Sequence, residues 1–162
     1  MSKAQKKLAE RKHRLAYKFL VKNFPGCNVR YNGEVGVDHN ITFNDKTVIL
    51  ETKTCKRTIR GGIKRVENRP VLDQKFRLGR FRFTQRKLYP YNISQHHDLV
   101  NNNGWYIFVI GYEIFGSPAI DVDMLIGGNW DYKLISWPKI VAICYPDWVR
   151  RLREQVYRGV IK

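Results

Sequence analysis

The sequence predicts one α/β domain in which helices flank a mixed central sheet. Three observations lead there. Residues 2–23 contain neither Gly nor Pro and are rich in Lys, Ala and Leu. Short runs of β-branched and aromatic residues follow, separated by turn residues, and residues 105–112, WYIFVIGY, form a continuous apolar run. A chain of 162 residues is long enough to enclose one hydrophobic core without disulfide or metal staples.

The first helix lies between Ser2, a potential N-cap, and the Pro25-Gly26 stop. Leu8, Leu15 and Phe19 share one of its faces at the 3.6-residue period. Ala16 and Leu20 widen that face, which leaves most of the basic side chains for solvent or phosphate. Strands are expected at 27–31, 35–43 and 47–54, joined by turns at Asn32-Gly33 and Asn44-Asp45-Lys46. Residues 56–92 are expected to be extended or loop-like, since Gly61-Gly62, Pro70, Gly79 and Pro90 interrupt any long element, with one strand at 81–84. Ser94 can cap a short helix through about Asn101, and Asn103-Gly104 ends it. The run at 105–112 has the length and composition of a strand buried on both faces. Strands are expected again near 121–126 and 139–144, and a basic helix over 148–157.

Charge narrows the function classes. Thirty Lys and Arg against fourteen Asp and Glu give a net charge of +16, which implies a polyanionic partner, because neutralising phosphates releases condensed counterions. Nucleic acid fits better than a membrane: no basic amphipathic helix carries a Trp-, Phe- and Leu-rich opposite face, and no apolar run approaches a membrane span. The N-terminus, MSKAQKKLAERKHR, lacks the apolar stretch of a secretory signal, so a cytoplasmic location is expected. Cys27, Cys55 and Cys144 are odd in number and far apart, the pattern of reduced core residues. The basic residues concentrate between Lys56 and Lys87, and Lys56, Arg57, Arg60, Lys64, Arg65, Arg77, Arg80 and Arg82 are the candidate nucleic-acid contacts. Phe76, Phe81, Phe83 and Tyr89 are placed to stack on bases or to pack beneath that segment, and packing is expected for most of them.

Chemistry concentrates in VGVDHNITFNDKTVILETKT. Side chains alternate across a strand, so Glu51 and Lys53 point to one face, and a hairpin partner can bring Asp38 beside them. Two adjacent carboxylates repel one another, and a divalent cation with oxygen preference resolves that conflict. An ammonium group nearby can orient the attacking water or offset negative charge on a phosphate in its transition state. The bland alternative is a solvated Glu-x-Lys ion pair on a half-exposed strand. Here, however, the acid and lysine interrupt an otherwise apolar strand at its C-terminal end.

Asp38 followed by Glu51-Thr52-Lys53 resembles the PD-(D/E)xK signature of restriction-endonuclease-like nucleases, and the order helix, three strands, helix, strand is similar to their αβββαβ core. The spacing of the two acids is closest to archaeal Holliday-junction resolvases and to small viral and homing nucleases. Val37 stands where the signature name has Pro. The resemblance covers residues 1 to about 112, and it implies a single domain over 1–162 whose core is about 1–112 with a basic insertion at 56–92, followed by a C-terminal extension at 113–162. It implies a DNA endonuclease in which Asp38, Glu51 and the Thr52 carbonyl bind Mg²⁺ or Mn²⁺ and Lys53 assists the water. It implies a third acid, for which Glu10 on the first helix and Glu34 compete, and a polar residue from the helix after the lysine strand, for which Gln95 is the match. His96 and His97 are further polar residues of that helix, read either as proton carriers or as one partly buried and one surface residue. Asp38-His39-Asn40 resembles an HNH nuclease motif only superficially, without its metal-binding strand, loop and helix. A homodimer or larger homo-oligomer is implied because two strands must be cut. The competing function is a non-catalytic basic module that binds DNA or RNA.

Overall fold

The computed structural model describes residues 3–32, 38–60, 63–72, 76–84, 94–128 and 132–158. Helix α1 spans Lys3–Asn23, and the chain reverses where Gly26 takes a φ of 80°. Strands β1 (Asn28–Tyr31), β2 (His39–Phe43) and β3 (Lys46–Cys55) follow. Asn44 and Asp45 both adopt positive φ, and Phe43 pairs with Lys46 across them. This is the two-residue hairpin whose twist suits paired strands, closed by residue types that tolerate the left-handed region. β2 begins only at His39, so Asp38 occupies the bend before the strand instead of a place within it. Ser2 and Glu34 lie outside the described residues.

The segment expected to be extended or loop-like is largely extended where it is described, its strands paired two by two. β4 (Thr58–Arg60) pairs antiparallel with β7 (Phe76–Leu78), and β5 (Ile63–Val66) with β6 (Arg69–Leu72). Its turn is Glu67-Asn68, both at positive φ, a hairpin without the glycine by which such turns are usually recognised. Pro70 is tolerated because each strand of a two-stranded ribbon is an edge.

The chain then forms β8 (Arg80–Thr84), α2 (Gln95–Asn101), β9 (Trp105–Ile110), β10 (Glu113–Pro118), α3 (Ala119–Ile126), β11 (Tyr132–Ser136), α4 (Trp137–Ile143) and α5 (Trp148–Arg158). Ser94 caps α2, its hydroxyl accepting from the His97 N–H at 3.0 Å. The central sheet has the order β1-β2-β3-β9-β10, in which only the β3–β9 pair is parallel. All six residues of β9 are buried, as its unbroken apolar run requires.

Helices cover both faces of this sheet. Ala16 and Leu20 of α1 and Trp148, Leu152 and Val156 of α5 pack with Leu50, Ile107 and Val109. On the other side Phe81, Phe83, Leu99, Val122 and Ile140 pack with Tyr106, Phe108 and Ile110. Residues after 112 therefore complete both halves of the core, and β10 adds a fifth strand. The strands expected near 121–126 and 139–144 are instead helices α3 (Ala119–Ile126) and α4 (Trp137–Ile143). Their β-branched residues favour strands only weakly. Tertiary packing of Ala119 and Val122, one helical turn apart, prevails in α3, while Pro138 at the first turn of α4 suits a helix start. Phe81 and Phe83 pack rather than stack on substrate, Trp148 is core, and the three cysteines are free thiols partly buried against the two clusters. Tyr89, Trp130 and the side chains of Leu8 and Phe76 lie outside the described residues. No helix among the described residues is long and apolar enough to cross a membrane.

Candidate active site

Three strands and α1 bring the predicted residues together. The β2–β3 register pairs His39 with Leu50, and continuing it by one residue sets Asp38 opposite Glu51. The Thr52 N–H donates to Asp38 Oδ2 at 2.9 Å, and the carboxyls of Asp38 and Glu51 adjoin. The β3–β9 register places Glu51 beside Tyr106 and Lys53 beside Phe108, on the face that holds the second hydrophobic cluster. Lys53 Nζ donates to the Arg82 carbonyl of β8 at 2.7 Å and lies 5.4 Å from the Phe83 ring centroid. Glu51 and Lys53 thus share one face of β3, and Asp38 adjoins them from the bend before β2.

Burial sets the electrostatics. Being buried, and then lying beside Asp38, raises Glu51 from an ordinary 4.5 to about 8. Burial also pushes Asp38 upward, but hydrogen bonds from His13 and from the Thr52 N–H outweigh it and hold Asp38 below the usual carboxylate range. Glu51 is thereby biased toward its protonated form and Asp38 toward its ionised form, as expected when two carboxyls occupy one site. Burial lowers Lys53 despite the opposing pull of Glu51 and Asp38. Glu51 Oε2 is buried with no hydrogen-bond partner among the described residues. An orphaned buried carboxyl oxygen is costly, and here it sits where two hard oxygen donors already adjoin. That donor set fits a Mg²⁺-like ion, completed by a main-chain carbonyl and retained waters. No group of three His, Cys, Asp or Glu close enough to hold a metal occurs among the described residues, so such an ion would rely on those non-carboxylate oxygens.

The remaining candidates divide. Asp38's partner from α1 is His13, whose Nε2 lies 3.4 Å from Oδ2. Glu10 is exposed one helical turn earlier and shares with His13, Arg14, Tyr17 and Tyr31 the lining of a hollow of about 410 Å³. Gln95 opens α2, partly buried. His96 is buried, its ring nitrogens 2.7 Å from the Tyr106 hydroxyl and 2.8 Å from Asp123 Oδ1, whereas His97 is exposed. His39 faces α1, beside Tyr17 and Tyr31, with Nδ1 3.2 Å from Thr52 Oγ1. Burial lowers it to about 4, so it is a neutral packing residue. Among the basic candidates, Lys56, Arg57, Arg65, Arg77, Arg80 and Arg82 are exposed, and Arg57 pairs with Glu113. The side chains of Arg60 and Lys64 lie outside the described residues.

Sequence reasoning passed over three groups. His13 was hidden in a basic helix, where its place one turn after Glu10 was the available signal. Lys12, not singled out among the basic residues of α1, is buried with Nζ 2.6 Å from the Gly111 carbonyl. Tyr106 read only as part of an apolar run. No protein-family model and no curated protein matches the chain.

Proposed function

We propose that this chain is a divalent-metal-dependent DNA endonuclease with a restriction-endonuclease-like core of the PD-(D/E)xK kind. One observation carries the reading: the Glu51 carboxyl adjoins Asp38, its Oε2 buried and unpartnered among the described residues, with Lys53 one pleat further along the strand. A site that stores a proton between two acids exchanges it for a cation readily, and such a pair has little structural reason to exist otherwise.

In this reading Asp38, Glu51 and the Thr52 carbonyl would hold Mg²⁺ or Mn²⁺. The bound ion supplies charge neutralisation at the scissile phosphate and a more acidic water. Lys53, fixed by the Arg82 carbonyl and the Phe83 ring, orients that water or offsets charge gathering on the phosphate oxygens. Water adds to phosphorus, one P–O bond breaks, and the products are a phosphate monoester and a free hydroxyl. His13 keeps Asp38 ionised. Glu10 or Glu34 serves as third acid and Gln95 as polar auxiliary. A homodimer acting in the cytoplasm on branched or junction DNA completes the proposal.

The test is cutting of linear, branched and single-stranded DNA with and without Mg²⁺, with Glu51→Ala as control. Metal-dependent cutting that disappears in Glu51→Ala while DNA binding persists is expected. Binding without metal-dependent cutting by either protein would leave only the non-catalytic module.

A further inference from the structure

We infer that the ribbon β4 to β7 is an arm that enters the major groove of B-form duplex DNA, which makes double-stranded DNA the substrate class; this rests on the proposal that the partner is nucleic acid. β4 pairs with β7 and β5 with β6, and among the described residues none of these four strands pairs with the five-stranded sheet. Ile59, Val66, Val71 and Leu78 remain 40–48% exposed. A two-stranded ribbon by itself is marginally stable in water, so this one calls for an occupant against it.

Charge identifies the occupant. The described side chains of the ribbon include Arg65, Arg69 and Arg77, all exposed, against Glu67 alone. Val66 pairs with Arg69, Arg65 with Pro70, and Ile59 with Arg77. Paired residues share a face and neighbours alternate, so Arg65 and Arg69 point to opposite faces. A protein or lipid partner suits a ribbon with one apolar face and one wet face, whereas cations on both faces suit a slot with phosphates on both walls. The B-form major groove, about 12 Å wide, admits a two-stranded ribbon. The major groove of A-form RNA is too narrow for side chains to read, and a single strand has no groove.

The root of the ribbon ties it to the acidic pair. It leaves from β3, which carries Glu51 and Lys53, and returns into β8, whose Arg82 carbonyl holds Lys53. The Gly79 N–H donates to the Arg57 carbonyl at 3.0 Å, and Trp137 Nε1 donates to the same oxygen at 2.8 Å. At Gly79 a β-carbon would lie 1.7 Å from the Lys56 carbonyl oxygen, so the two sides of the root approach too closely for any other residue. Duplex gripped by the arm is thereby delivered to the site.

The experiment measures affinity in EDTA for duplex DNA of about 30 base pairs, for the same sequence as duplex RNA, and as single-stranded DNA, over a range of salt. Wild type is compared with the exposed-residue variant Arg65→Ala/Arg69→Ala/Arg77→Ala, after circular dichroism shows both folded. Duplex DNA should bind about tenfold or more tighter than the other two, and the triple variant should lose that preference. The log–log salt slope on duplex DNA should flatten by about 2.7, from three phosphate contacts at about 0.9 each. Guanine N7, which faces the major groove, should be protected from dimethyl sulfate. Equal affinity for the three nucleic acids, an unchanged slope or unprotected N7 overturns the arm. If wild type nevertheless cuts with Mg²⁺, the nuclease proposal survives that failure; arm-dependent duplex binding without metal-dependent cutting sinks the nuclease proposal and leaves the arm.

Discussion

Replacing Glu51 with Gln should stabilise the metal-free protein at neutral pH while it abolishes cutting. Burial, and then the Asp38 charge, moves the folded-state titration of Glu51 from 4.5 up to about 8. Between those values the native state holds a proton that the unfolded chain has released, so ΔG of unfolding falls as pH rises. The stabilising contribution of that proton is complete below about 4.5 and gone above about 8. At about 1.4 kcal/mol per pH unit, the wild type loses about 3 kcal/mol between pH 4.5 and pH 7 from this group. Gln carries no titrating proton, so its curve lacks that descent. Over that interval the melting temperature of Glu51→Gln should therefore gain about 6–12 °C on wild type, at about 2–4 °C per kcal/mol for a chain of this size. Mg²⁺ should reverse the order, because a cation between the acids replaces the proton and stabilises wild type by about 2.7 kcal/mol at a concentration of about a hundred times its Kd. Thermal unfolding followed by circular dichroism, from about pH 5 to about pH 9 in EDTA and in Mg²⁺, reads all of this. Parallel pH curves for the two proteins in EDTA would refute the buried, shared-proton state of Glu51.

Two further outcomes follow from particular contacts. His13→Ala removes a hydrogen bond that helps hold Asp38 ionised against its burial, so the acid limb of the pH–rate profile for Mg²⁺-dependent cutting should move to higher pH. An unmoved limb would show that His13 does not control Asp38. Gly116→Ala would place a β-carbon 2.3 Å from the Trp148 ring, and such overpacking should cost about 1–3 kcal/mol in urea unfolding. An unchanged midpoint would mean that β10 and α5 yield without strain.

Much of the sheet was legible because its signals are local. The apolar run of β9, the hairpin turn at Asn44-Asp45, the Ser94 cap and the shared face of Glu51 and Lys53 each depend on residues a few positions apart, where strand alternation and turn sterics act directly. The proximity of Asp38 to that pair was readable from the hairpin, although its place in a bend was not. Tertiary structure alone decided the rest. Glu67-Asn68 turns the ribbon without a glycine. The helical state of α3 and α4 comes from what Val122 and Ile140 pack against, which overrides weak strand preference. His13 and Lys12 are ordinary members of a basic helix until folding brings Asp38 and the Gly111 carbonyl to them. The acidity of the site belongs to the same category. Sequence by itself determined which charges would meet, while the water excluded around Glu51 decided which of them would keep its proton, because desolvation depends on every neighbour in space and on few in the chain.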